Sequence, residues 1–284
     1  MDSLRPIPLF ERLEIETLSN CNRDCWFCPR TYDRSGAYLD ASGVPVLETM
    51  ATETVLSVLD QAAALGFIGE VTFHFYSEPL LDKRNLAFAR EARTRSMRPF
   101  LHTNGDVLKG SVELREQVQA VYNHVVVGLY DYETEDELEA EKRFWLDALP
   151  GTEVRFSYVG KNGGRSAPSL GVPRALVPSD PRMTFPDLAF EHAPCSRPLQ
   201  RMLIRHDGRM ANCCEDMKAE FELGSIHDHT LEELWFSARH VAVVRELLRG
   251  RRRDYELCRR CPLPPTGPPP DGGRTRFRPR RLDR

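Results

Sequence analysis

Polar and apolar residues alternate over 12–17 (RLEIET), which predicts a β-strand. Over 53–65 the apolar positions Val55, Leu56, Leu59 and Ala63 share one helix face, with Thr52 the expected cap and Gly66 the stop. The run 70–76 (EVTFHFY) predicts a buried strand, 84–95 a helix, and Phe100–Thr103 a short strand closed by Asn104-Gly105. A helix over Ser111–Val121, a strand over His124–Tyr130, a helix over Thr134–Leu149 and a strand over Val154–Val159 continue the pattern. Strands alternating with helices require a parallel sheet of right-handed βαβ units. Five strands with four helices predict an α/β fold, a partial TIM-like (β/α) barrel. Its functional groups are then expected at the C-terminal strand ends.

The alternation stops near residue 160. Residues 160–182 are rich in Gly and Pro and read as a linker or lid. Arg201–His206, a two-residue turn at Asp207-Gly208 and Arg209–Cys213 then predict a β-hairpin. Thr230 with Glu233 makes a capping box for one helix running to about Arg249. From Pro262 onward the chain is Pro, Gly and Arg. The expected organisation is therefore a barrel core with linker over 1–184, a small α+β domain over 185–262, and a disordered tail over 263–284.

Composition adds mainly exclusions. Hydrophobic residues are 41% and charged ones 29% of 284 residues, an ordinary globular balance. A net charge of −3 gives no global attraction to nucleic acid or to an anionic membrane, so neither is expected as a partner. No apolar run is long enough to span a bilayer, and the first residues lack a secretory signal's apolar segment. A cytoplasmic protein is expected, and in that reducing compartment its eight cysteines read as metal ligands or reactive thiols. They fall in two groups: Cys21, Cys25 and Cys28, and then Cys195, Cys213, Cys214, Cys258 and Cys261.

The first group, CNRDCWFCP, has spacing C-x3-C-x2-C directly after the first strand. A structural zinc site wants a fourth nitrogen or sulfur ligand nearby, and this loop has none. Three thiolates on a [4Fe–4S] cluster leave one iron open to a small chelating molecule. The motif, with Phe27 before its third cysteine, resembles the signature of the radical S-adenosylmethionine (SAM) superfamily. Tyr76-Ser77-Glu78-Pro79 is similar to that family's element for the amino group of SAM, although Tyr76 and Ser77 replace its glycines. Thr103 and Asn104 end a strand where the family often contacts SAM. The resemblance implies a [4Fe–4S] cluster on Cys21, Cys25 and Cys28, SAM bound at its open iron, and radical abstraction of hydrogen from carbon. An electron donor of flavodoxin or ferredoxin type is implied as a partner.

Cys195, Cys213, Cys258 and Cys261 give C-x17-C-x44-C-x2-C, which suits zinc or a second [4Fe–4S] cluster equally by spacing. The arrangement resembles the twitch domain, a short SPASM-type domain of some radical SAM enzymes. The likeness extends to members that oxidise aminocyclitols or epimerise aminoglycosides in antibiotic biosynthesis, which implies such a substrate. One thiol of the Cys213-Cys214 pair remains over. A two-residue turn places Cys213 on the face of Met202, Ile204 and Ala211, and the family spacing also favours Cys213 as ligand. Cys214 is then expected as a hydrogen-atom donor that inverts a carbinol carbon, making the enzyme an epimerase (an isomerase). Glu215 is a candidate base or hydroxyl acceptor, and Tyr76 a candidate substrate contact. The alternative is an oxidoreductase that makes a ketone, with the second cluster as electron acceptor. A non-catalytic zinc-binding module and a peptide-modifying enzyme stand further back.

Overall fold

The computed structural model describes residues 6–25, 27–130, 132, 134–159, 190–259, 261 and 266. Five parallel strands appear in the expected order. They are β1 (Arg12–Ile15), β2 (Glu70–Thr72), β3 (Arg98–Thr103), β4 (His124–Tyr130) and β5 (Glu153–Val159). Between them run α1 (Thr52–Ala64), α2 (Asn85–Thr94), α3 (Asp106–Lys109), α4 (Val112–Val121) and α5 (Glu135–Ala148). The short α3 was not expected from the pattern.

The hairpin after residue 200 is more than a separate module. After the single turn α6 (Arg197–Gln200), β6 (Arg201–Ile204) lies parallel to β1, with Arg12 opposite Arg201 and Ile15 opposite Ile204. The parallel array thus has six strands rather than five, and β7 (Met210–Ala211) adds an antiparallel edge. Alternating strand residues such as Leu13, Ile15, Val71, Leu101, Val125, Met202 and Ile204 pack into the apolar core. On the opposite strand faces Arg12 pairs with Glu70 at 2.5 Å and Arg201 with Glu14 at 3.0 Å. The barrel interior is therefore polar.

Several boundaries differ from the sequence pattern, each for a local reason. β2 stops at Thr72 rather than at residue 76, because beyond it the Tyr76 amide is held by the Glu16 carboxylate at 2.8 Å. Ala51, not Thr52, caps α1; the Thr52 hydroxyl instead accepts a hydrogen bond from Arg84 at 2.9 Å. The helix after Thr230 is two helices, α7 (Leu231–Trp235) and α8 (Ala238–Leu248). Ser237 breaks it by capping α8 at the His240 amide, and the His240 ring donates to the Trp235 carbonyl at 2.7 Å. A final turn, α9 (Glu256–Arg259), carries Cys258.

The hairpin register also differs. Leu203 stands opposite Ala211 and Ile204 opposite Met210, so the loop holds three residues, His206-Asp207-Gly208, with Gly208 at φ +82°. This one-residue slip moves Ala211 onto the face of Leu203 and away from Met202 and Ile204. Thr266, in the segment read as a disordered tail, exchanges backbone hydrogen bonds with Pro194 and Ser196. The expected linker at 160–182 and the boundary at 184 lie outside the described residues. No helix among the described residues is long and apolar enough to cross a membrane.

Candidate active site

The loop after β1 carries the first three cysteines, and hydrogen bonds tie it to the ends of β2 and β3. The Glu78 amide donates to the Asn20 carbonyl at 3.0 Å. The Asn104 side chain donates to Asn22 at 2.8 Å, and Arg23 clamps Asp106 through two guanidinium contacts of 2.7 and 2.5 Å. Within the loop the Cys28 amide donates to the Cys25 carbonyl at 2.9 Å, a tight turn that gathers the motif. Cys21 and Cys28 lie close enough for the charge of one to oppose ionisation of the other. Burial is the larger effect and pushes the Cys28 thiol up to about 12. The buried Arg30 guanidinium favours thiolates at both residues, and its Nη2 has no hydrogen-bond partner among the described residues. A cation facing thiols suits a centre that must lose their protons to bind metal.

Glu78 is more committed than the sequence suggests. Its carboxylate accepts the Thr103 hydroxyl at 2.7 Å, the Asn104 amide at 2.8 Å and the Leu80 amide at 3.2 Å. Burial raises its pKa to about 6 against the pull of these donors. The Thr103 hydroxyl, given to Glu78, also accepts the Gly105 amide at 3.1 Å. Glu78, Thr103 and Asn104 thus join the ends of β2 and β3. The neighbouring Ser77 hydroxyl is buried without a hydrogen-bond partner among the described residues. Phe27 packs on Tyr130 at 4.9 Å between ring centroids.

Sequence reasoning missed a polar knot beside this loop. Glu16, fully buried at the end of β1, accepts the Tyr38 hydroxyl and the Tyr76 amide, each at 2.8 Å. The Arg205 guanidinium stacks 5.5 Å from the Tyr38 ring centroid, and the His206 ring packs on Tyr38 at 5.1 Å. The one available signal was Glu16 itself, a charged residue continuing an alternating strand. Tyr76 reaches the second cysteine group: its hydroxyl donates to the Cys214 carbonyl at 2.7 Å.

Cys195, Cys213, Cys258 and Cys261 all line one small cavity, together with Asn212 and Glu215. Cys214 is not among its lining residues. Cys213 is turned there by a tight bend, in which the Asp216 amide donates to its carbonyl at 3.0 Å, and not by the hairpin register expected above. No three His, Cys, Asp or Glu side chains among the described residues converge closely enough to hold one metal ion. The Cys214 thiol donates to Glu215 at 3.7 Å. Burial holds the Cys214 pKa up at about 12 and lifts Glu215 to about 8. The second carboxylate oxygen of Glu215 has no hydrogen-bond partner among the described residues.

The comparisons agree with this architecture and with the resemblance drawn from its motifs: the chain is similar along most of its length to radical SAM enzymes that carry a SPASM-type domain. Residues 195–262 match the SPASM family, an iron-sulfur cluster-binding domain. Over 260 residues, 89% of this chain and 93% of the relative, it is 26% identical to the S-adenosyl-L-methionine-dependent 2-deoxy-scyllo-inosamine dehydrogenase of Niallia circulans. Among solved structures it resembles BtrN in complex with AdoMet and 2-DOIA, with a TM-score of 0.68 and 20% identity over 90% of this chain and 94% of that one. SuiB of Streptococcus suis bound to its precursor peptide SuiA shares the fold at a TM-score of 0.52 and 11% identity, over 83% of this chain and 67% of that one.

Proposed function

We propose that this protein is a radical SAM dehydrogenase that oxidises a secondary alcohol of an aminocyclitol or aminoglycoside to a ketone. The observation that carries this reading is the cavity lined by Cys195, Cys213, Cys258 and Cys261 within the iron-sulfur cluster-binding match. Removing one hydrogen atom and one proton from a carbinol leaves an electron to be taken up. A cluster in that cavity is a built-in acceptor. The 26% identity to a dehydrogenase supports oxidation over the epimerisation expected from Cys214.

The cofactors are two [4Fe–4S] clusters and SAM. Cys21, Cys25 and Cys28 hold the first cluster, and the four cavity cysteines hold the second. When bound and reduced, the first cluster with SAM supplies a radical equivalent that abstracts hydrogen from unactivated carbon. The chain's own residues orient and shield this chemistry. Ser77, whose buried hydroxyl has no partner among the described residues, offers a polar contact at the SAM element, and Phe27 on Tyr130 offers apolar surface beside the motif. Glu78, Thr103 and Asn104 hold those strand ends in register. Glu215 presents an oxygen that has no partner among the described residues as acceptor for a substrate hydroxyl or for its proton. A flavodoxin- or ferredoxin-type protein supplies electrons.

One observation favours epimerisation as a second reading. Burial keeps Cys214 a protonated thiol, the form that donates a hydrogen atom. The two reactions separate in deuterated water, using anaerobic iron-loaded protein, a strong reductant, SAM and 2-deoxy-scyllo-inosamine. Oxidation gives a ketone, with no deuterium placed on the reacting carbon. Deuterium on an inverted carbinol carbon, lost in Cys214→Ala, would overturn the dehydrogenase reading.

A further inference from the structure

We infer that Asn212 donates a hydrogen bond to the cluster in the C-terminal cavity and thereby sets how readily that cluster accepts an electron. The inference rests on the reading that Cys195, Cys213, Cys258 and Cys261 hold a [4Fe–4S] cluster.

Asn212 is 1% exposed and lines the cavity beside all four cysteines. Neither its Nδ2 nor its Oδ1 has a hydrogen-bond partner among the described residues. Buried side-chain amides with both ends unsatisfied are rare, because such a group loses its water without replacement. The main chain that carries Asn212 is itself tied down: its backbone N–H donates to Asp216 Oδ2 at 2.9 Å, and the other Asp216 oxygen accepts the Glu220 backbone N–H at 2.7 Å. The bend that presents Cys213 therefore fixes the backbone carrying Asn212. A buried side-chain N–H pair without a partner among the described residues, on a residue that lines the same cavity as four thiols, suits a sulfur-rich, negatively charged group.

The consequence for redox chemistry follows from charge. Reduction adds one negative charge to the cluster, so an N–H donor at its sulfurs is held more tightly in the reduced state. Such hydrogen bonds raise the reduction potential. Asn212 thus favours electron uptake, the step that separates a dehydrogenase from an enzyme that returns hydrogen to its substrate.

The test uses the full chain with Cys25→Ser and Cys28→Ser, which silence the first cluster, reconstituted anaerobically and titrated by electron paramagnetic resonance. Asn212→Ala is expected to weaken electron uptake about tenfold, a negative shift of about 59 mV for one electron. Asn212→Asp, of the same shape but acidic, is expected to shift the potential further in that direction. Unchanged potentials in both variants, with a full cluster retained, overturn the inference. A lower melting midpoint of the iron-free Asn212→Ala protein with an unchanged potential marks a packing role and also overturns it. Should the variants lose iron, protein labelled with 15N-asparagine decides by pulsed resonance: a weak 15N coupling to the reduced cluster supports the bond, and its absence overturns it. If the unsubstituted cavity takes up no cluster at all, the cluster assignment fails, and the role of Asn212 with it.

Discussion

The Tyr76 hydroxyl donates to the Cys214 backbone carbonyl at 2.7 Å, joining the loop after β2 to the bend that bears the second cysteine group. At its other end the same residue is anchored by its amide on Glu16, which also holds Tyr38. Tyr76 therefore fixes one cysteine region relative to the other. Tyr76→Phe keeps the ring and removes only the tether. The net loss of stability should be about 1 kcal/mol, because one hydrogen bond is lost and the carbonyl is left wanting. Iron content and SAM cleavage should persist while ketone formed per SAM cleaved falls several-fold. Chromatography of the nucleoside and ketone products from one reaction measures that ratio, and an unchanged ratio removes Tyr76 as a spacer.

Glu78 makes a sharper mutational case. An ionised carboxylate accepts from Thr103, Leu80 and Asn104 together. In Glu78→Gln one oxygen becomes an NH2 group, which meets a donor whichever way the amide turns. A buried clash of donors costs about 1–3 kcal/mol. The midpoint of urea unfolding should fall accordingly, and the Asn104 turn should loosen. Glu78→Asp, which is too short to bridge β2 to β3, should not restore it.

Gly105 is required by its backbone. It sits at φ +86°, and a Cβ there would lie 2.6 Å from the Trp145 ring. Gly105→Ala combines left-handed strain with a clash against a buried indole, and should cost at least about 1–3 kcal/mol. Thermal unfolding measures the loss. Trp145→Leu removes a buried indole and carries its own cavity cost, so the signature of the clash is that Gly105→Ala and Trp145→Leu together cost less than the sum of their separate losses.

Local chemistry in the sequence carried much of this architecture. Period-two and helical spacing gave the order β1 to β5, and Thr134 with Glu137 and Thr230 with Glu233 form the capping boxes their spacing allows. Cys21, Cys25 and Cys28 were legible because a loop motif is contiguous. Pairings between distant segments were not. Nothing near Arg201 shows that it will lie beside Arg12, and Asp207-Gly208 marks a turn without fixing whether the loop has two or three residues. That single residue decides which face Ala211 presents. Glu16, Tyr38 and Asn212 escaped notice for the same reason: each is defined by partners, or by a cavity, assembled from remote strands.

The barrel interior supplies the final expectation. The His74 and His102 rings pack 4.6 Å apart, and the Thr72 hydroxyl is 3.0 Å from His74 Nδ1. Desolvation, reinforced for His74 by Arg12 and Arg201 and for His102 by His74, lowers both to about 3 from an ordinary 6.5. Unfolding releases both imidazoles to bind protons below about 6.5, where the folded protein still excludes them. Their contribution is therefore intact above that pH and is lost progressively as pH falls toward 3. At pH 5 the cost is about 1–2 kcal/mol for each ring. Nearby carboxylates with raised pKa values, Glu16 and Glu78, push the other way, so the informative quantity is a difference between proteins. The His74→Asn/His102→Asn double variant should lose less stability between pH 8 and pH 5 than the unsubstituted chain, by about 2–4 kcal/mol in denaturant unfolding. Equal losses would mean that the two rings take up protons in the fold as readily as in the unfolded chain, and the interior would then need negative charge beyond Glu14 and Glu70, which already pair with Arg201 and Arg12, to balance them.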